Sequence, residues 1–143
     1  MLIYKHETPS LEIIRDFFYH TDNEFDVPLS QKVNVDEYTF KLYSYADFFV
    51  CYDDDKIVGM ICCYMNRPPE AYISHVCVAS EYQRKGIFRM LFKELIIFCR
   101  SLNINNISLE VGKNNIKAQK VYECIGFKVS VINQSSFFMG MRL

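Results

Sequence analysis

The stretch Val76-Cys77-Val78-Ala79-Ser80-Glu81-Tyr82-Gln83-Arg84-Lys85-Gly86-Ile87-Phe88-Arg89 decides how the chain folds. It begins apolar and β-branched, as a buried strand requires. After Gly86 the period changes. Ile87, Met90, Leu91, Leu95, Phe98, Cys99 and Leu102 recur at steps of three and four, one face of an amphipathic helix. A strand that turns through a glycine into a helix leaves free backbone N–H groups at the helix start. Those donors and the helix dipole together attract a phosphate. Arg84, Lys85 and Arg89 add three positive charges within six residues, and Gly86 removes a side chain where a pyrophosphate would approach the main chain. The plain alternative is a helix N-terminus with ordinary solvated basic residues. Neither G-x-x-x-x-G-K-[ST] nor G-x-G-x-x-G occurs, so this is not a P-loop or a dinucleotide fingerprint.

Downstream, Asn106 to Val111 reads as a strand, and Ala118, Val121, Tyr122 and Ile125 mark a helix ended by Gly126. Phe127 to Ile132 and Phe137 to Met141 close the chain as two strands joined by a short turn. Upstream, Leu2 to Lys5 reads as a first strand. Thr8-Pro9 looks like an N-cap followed by proline at the first helical position, with Leu11, Ile14, Phe17 and Phe18 at helical spacing. Residues 21–34 are polar, contain Pro28, and read as a loop or short helical turn; residues 35–45 suit a second helix. Asp47 to Tyr52 and Lys56 to Met65 flank Asp53-Asp54-Asp55, a hairpin signal. Pro68-Pro69 then breaks the chain before a third run, Ala71 to Ala79. The order of elements predicts an α/β (α+β) protein with a mixed sheet and helices packed on it.

At 143 residues, within the usual range of about 100–200 per domain, residues 1–143 are expected to form one domain. Half the residues are apolar and 23% are charged, enough for a real core. Net charge is −1, which argues against a dedicated nucleic-acid binder. That total hides a split: residues 1–71 carry 6 Lys+Arg against 13 Asp+Glu, and residues 72–143 carry 10 against 4. Such a division suits a site that serves two ligands of opposite charge, or is a chance clustering. The six cysteines form no C-x-x-C and have no metal-ligand spacing to histidine, so no metal is expected. Most sit in apolar runs and read as buried residues of a reducing compartment. No signal peptide is visible and no apolar run is long enough to span a bilayer, so a soluble, cytoplasmic protein without membrane partners is expected.

Gln83-x-x-Gly86-x-Phe88 resembles the Q/R-x-x-G-x-G/A motif of the GNAT superfamily of N-acetyltransferases, with Phe88 where the family usually has Gly or Ala. Asn115-x-x-Ala118-x-x-Val121-Tyr122-x-x-x-Gly126-Phe127 is similar to that family's N-x-x-A-x-x-[hydrophobic]-Y-x-x-x-G-F segment. Two motifs at this separation, in the expected strand and helix context, are more specific than either alone. The resemblance implies a mostly antiparallel, mixed seven-stranded sheet flanked by about four helices, with acetyl-CoA as co-substrate. It implies that Gln83, Arg84, Lys85, Gly86, Ile87, Phe88 and Arg89 hold the pyrophosphate. It puts Val76, Cys77 and Val78 on the strand beside the pantetheine, with the Val78 N–H as candidate oxyanion donor.

The resemblance makes Tyr122 the general acid towards the coenzyme A thiolate; its other reading is a core tyrosine. Asn115 is a cofactor contact or a helix cap. Glu110 matches the base position of the ribosomal-protein N-terminal acetyltransferases, or is a solvent-side strand residue. His75 is the second candidate base, because its ordinary pKa of about 6.5 suits proton abstraction near neutrality; water is a third. For the acceptor, Asn133-Gln134-Ser135-Ser136 is too short for the long tyrosine-bearing loop of N-terminal acetyltransferases, which favours a small-molecule amine. Asp22, Glu24, Asp26, Asp36 and Glu37 fall where the family covers its acceptor and would draw a cationic amine. A protein N-terminal or lysine acetyltransferase and a non-catalytic acyl-CoA-binding domain are the alternatives. Homodimers are common in the family.

Overall fold

The computed structural model describes residues 1–25 and 27–143. Strand β1 (Leu2–His6) leads into helix α1 (Leu11–Thr21), a 3₁₀ turn (Asp22–Glu24), the single-turn helix α2 (Leu29–Lys32) and helix α3 (Val35–Tyr45). Three antiparallel strands follow, β2 (Asp47–Asp53), β3 (Lys56–Arg67) and β4 (Glu70–Val78). Helix α4 (Ile87–Ser101), strand β5 (Asn106–Gly112), helix α5 (Ile116–Ile125) and strands β6 (Lys128–Ile132) and β7 (Ser136–Arg142) complete the chain. The seven strands form one sheet in the order β1-β2-β3-β4-β5-β7-β6. Every neighbouring pair is antiparallel except β4 with β5. This is the expected architecture, with four helices of ten residues or more and the extra turn α2.

Several strand ends differ from expectation by one or two residues, and the start of α1 differs in its cap. Ser10, not Thr8, caps α1: its hydroxyl accepts from the Ile13 N–H at 3.3 Å, and Leu11 is the first helical residue. Pro9 lies outside the helix, because a serine three residues before a free N–H satisfies an orphan donor that a threonine at position 8 would not reach.

Two cores sandwich the sheet. On one face α1 and α3 bury Phe18 and Leu42 against Phe48, Met60 and Cys62. On the other, α4 buries Leu91, Phe92 and Leu95 against Ile61, Ile107 and Phe127. Each such side chain contributes about 1.5–3 kcal/mol by leaving water. The start of α4 sits close on β3 because Gly59 has no side chain; a Cβ there would meet Ile87 Cγ2 at 2.8 Å. Among the described residues no helix is long and apolar enough to cross a membrane.

Candidate active site

The site begins with an irregularity in β4. Cys62 pairs with His75, but the next residue along β3, Cys63, pairs with Ile73, so Ser74 is an extra residue without a partner. Such a bulge reverses the facing of the strand beyond it. Ala71 and Ile73 pack on the α4 side before it; Val76 and Val78 do so after it. The parallel pairing of β4 with β5 also stops there, at Ile73↔Leu109. Beyond this point Ser74–Val78 and Glu110–Gly112 are not paired with each other, and the sheet is split.

The hydrogen-bond alternation shows what faces the split. The Ala79 N–H donates to Val58 O at 2.9 Å, which makes that opposed pair hydrogen-bonded. Alternation then turns the N–H and C=O groups of Val78 and Val76 away from β3, into the gap. The Val78 carbonyl is taken there by Gln83 Nε2 at 3.1 Å. Cys77 faces the α1 side, where burial pushes its thiol up to about 12. It is therefore a protonated, weakly nucleophilic thiol at neutral pH.

At the mouth of the gap lies the β4–α4 turn. Gly86 is the N-cap of α4 with φ +79°, and Arg84 is also left-handed at φ +64°. The first intrahelical acceptor is Gly86 O, bonded by the Met90 N–H at 3.1 Å, so the N–H groups of Ile87, Phe88 and Arg89 precede the helical ladder. A Cβ built on Gly86 would meet nothing within 4 Å, so the main chain there borders open space. Arg84, Lys85 and Arg89 are exposed around it and, among the described residues, form no ion pair. The cradle thus combines free donors, a helix dipole and unpaired cations, a fit for a pyrophosphate. Lys117, not singled out from the sequence, reaches the same place: its Nζ lies 3.4 Å from Gln83 Oε1. Its position two residues after Asn115 in the second motif was the available signal.

Phe88 does not project into the cradle as a lone bulky group. Its ring stacks on Phe92 at 5.1 Å and lies 6.0 Å from Tyr122. Tyr122 is buried against Phe92 and Phe127, and burial raises its hydroxyl to about 12. Asn115 caps α5, its Oδ1 accepting from the Ala118 N–H at 3.3 Å, so the capping reading holds for that oxygen.

The two candidate bases sit differently. Glu110 is exposed on β5, the first residue past the end of the β4 pairing, and accepts from Ser136 Oγ at 2.6 Å. His75 is buried among Phe18, Phe25 and Tyr38, with ring centroids 4.4, 5.6 and 6.0 Å away. Burial, aided by Lys32, lowers its pKa to about 4, and its Nε2 is the one buried side-chain polar atom without a partner among the described residues. The acidic residues of the first half are largely engaged in structure. Asp22 accepts from the Ser30 N–H and hydroxyl, Glu24 from the Ser80 N–H, and Asp36 from the Tyr19 hydroxyl. Glu37 is exposed in the first turn of α3, and Asp26 lies outside the described residues.

A shallow concavity of about 410 Å³ lined by Asn106, Gly126, Lys128 and Arg142 lies at the far end of β5 from the gap. It touches none of the predicted site residues, whereas the cradle and gap carry the free donors and charges. The gap is the better candidate on chemistry.

Comparison with known proteins identifies the family. The sequence model of the Acetyltransferase (GNAT) family matches residues 11–127. The chain belongs to that family. It is 29% identical over 82 residues to the L-amino acid N-acetyltransferase AaaT of Escherichia coli, covering 55% of this chain and 51% of the relative. It is 31% identical over 68 residues to the [ribosomal protein bS18]-alanine N-acetyltransferase of Salmonella typhimurium, covering 48% of this chain and 46% of the relative. The chain therefore spans about half the length of these curated relatives. Its fold is shared with the PaiA N-acetyltransferase of Thermoplasma acidophilum, solved in complex with coenzyme A, at TM-score 0.73 and 17% identity over 99% of both chains.

Proposed function

We propose that the protein transfers an acetyl group from acetyl-CoA directly to the primary amine of a small-molecule acceptor. The observation that carries the reaction is the end of β4–β5 pairing beside the bulge at Ser74, which leaves the Val76 and Val78 main-chain groups facing the gap that leads to the cradle. In this reading the pantetheine lies in the gap, the pyrophosphate on the α4 N-terminus, and the Val78 N–H donates to the oxyanion. Glu110, held by Ser136, takes the amine proton. The neutral amine nitrogen then attacks the thioester carbonyl, the C–S bond breaks, Tyr122 protonates the departing thiolate, and the second N–H proton passes through solvent to restore the Tyr122 hydroxyl. No proton transfer is assigned to His75, which is neutral and a weak base where it lies. The protonated state of Cys77 favours direct transfer over an acetyl-cysteine intermediate.

A small acceptor is favoured by the last hairpin. β6 ends at Ile132 and β7 starts at Ser136, with Asn133 N–H bonded to Ser136 O at 2.9 Å. So tight a turn offers no long loop to hold a peptide backbone. The two relatives act, by name, on an amino acid and on a ribosomal protein, so a protein acceptor is the second reading. A cytoplasmic setting suits the six free cysteines. The test is thiol release from acetyl-CoA against panels of small amines and of peptides. Release with small amines supports the proposal; release with peptides alone transfers it to the second reading.

A further inference from the structure

We infer that Tyr38 is a positioning residue for the acyl donor: its hydroxyl holds β4 bent at Ser74 and so keeps the gap between β4 and β5 open. The inference rests on the reading that this gap receives the pantetheine of acetyl-CoA.

The bend needs a cause. Ser74-His75-Val76-Cys77-Val78 and Glu110-Val111-Gly112 carry enough β-branched residues to continue the parallel pairing that ends at Ile73↔Leu109. What prevents this is the extra residue, Ser74, whose carbonyl and hydroxyl have no place in the ladder with β3. Both are taken by one side chain. The Tyr38 hydroxyl lies 2.9 Å from Ser74 O and 2.9 Å from Ser74 Oγ. A bulge whose displaced carbonyl is satisfied from outside the sheet is stable as a bulge; without that partner, repairing the ladder by closing the strands satisfies it instead.

Tyr38 is suited to the task. It sits on α3, whose N-terminus Asn34 caps by accepting from the Glu37 N–H at 3.0 Å. Its ring is fixed between Phe18 and His75, each centroid 6.0 Å away. Burial keeps its hydroxyl protonated and able to donate. The helix that covers one face of the sheet thereby sets the shape of the cleft that opens beside it.

The test measures acetyl-CoA affinity by calorimetry in the full chain, with Tyr38→Phe and, as control, Thr39→Val. Thr39 is the next residue on the same helix; its buried hydroxyl donates to Val35 O at 2.7 Å and, among the described residues, makes no hydrogen bond to β4. Loss of both hydroxyl contacts to Ser74 is expected to raise Kd about fivefold in Tyr38→Phe. Thr39→Val is expected to stay within about twofold of the wild type even with an equal fall in Tm. An unchanged Kd in Tyr38→Phe, or equal weakening in both variants, overturns the inference. Should Tyr38→Phe fail to fold, Ser74→Ala decides: about twofold weakening is expected from losing one of two contacts, and no change overturns the inference. A wild type that does not bind acetyl-CoA removes the reading beneath it, which is a different result from a wild type that binds while Tyr38→Phe binds equally well.

Discussion

The side-chain nitrogen of Gln83 donates to the carbonyl oxygen of Val78 at 3.1 Å, joining the phosphate cradle to the strand that lines the gap. Gln83 is thus a brace between two parts of the site, and its other amide atom meets Lys117. Gln83→Ala is expected to raise the KM for acetyl-CoA about three- to tenfold with little change in kcat, since a net hydrogen bond is worth about 0.5–1.5 kcal/mol. Steady-state kinetics with acetyl-CoA varied will check it; a fall confined to kcat would argue against a bracing role.

Arg84 holds a left-handed backbone at φ +64° that a glycine adopts freely. Arg84→Gly is expected to stabilise the fold by up to about 1 kcal/mol while weakening acetyl-CoA binding and flattening its salt dependence. Gly86→Val should instead destabilise the fold, because its φ of +79° strains any side chain, and should also weaken acetyl-CoA binding, because its side chain would enter the open space of the cradle. Urea unfolding and calorimetry at two salt concentrations separate the two effects.

His75 gives the fold a pH dependence with a defined sign. Its ordinary pKa is 6.5 and its folded pKa is about 4. Because the folded value is the lower, its neutral form contributes fully above pH 6.5, and that stability is lost as pH falls through 6.5 towards 4. The loss reaches roughly 2 kcal/mol by pH 5. His75→Leu, which keeps the site apolar, is expected to remove that share of the decline between pH 7 and 5. Parallel slopes of urea midpoint against pH in the two proteins would show that His75 carries none of it.

Tyr122→Phe is expected to lower turnover at least about tenfold with modest change in acetyl-CoA binding, as for loss of a proton donor. Burial raises the hydroxyl to about 12, so its donor form is retained across the neutral and mildly alkaline range. Turnover equal to the wild type would return Tyr122 to the role of a core residue beside Phe92 and Phe127.

Much of this site is legible in the sequence because its parts are local. The change of period at Gly86, the cluster of cations and the alternation of strands and helices each follow from short-range spacing. The bend of β4 is not legible: Ala71 to Ala79 reads as one unbroken strand, and only long-range pairing reveals that Ser74 is extra. The hydrogen bonds that Asp22, Glu24 and Asp36 accept from Ser30, Ser80 and Tyr19 are likewise absent from any local spacing in the sequence, and they leave the carboxylate charges in place. The cations around Gly86, by contrast, are visible from spacing alone, and among the described residues they form no ion pair.

The most direct test of the central claim is a single competition. The protein is incubated with acetyl-CoA and an equimolar mixture of amines, amino acids, amino sugars, polyamines and short peptides, and the acetylated products are identified by mass spectrometry. The account predicts N-acetylated small molecules with stoichiometric free coenzyme A. Acetylation of peptides alone, or no acetylated product at all, would contradict it.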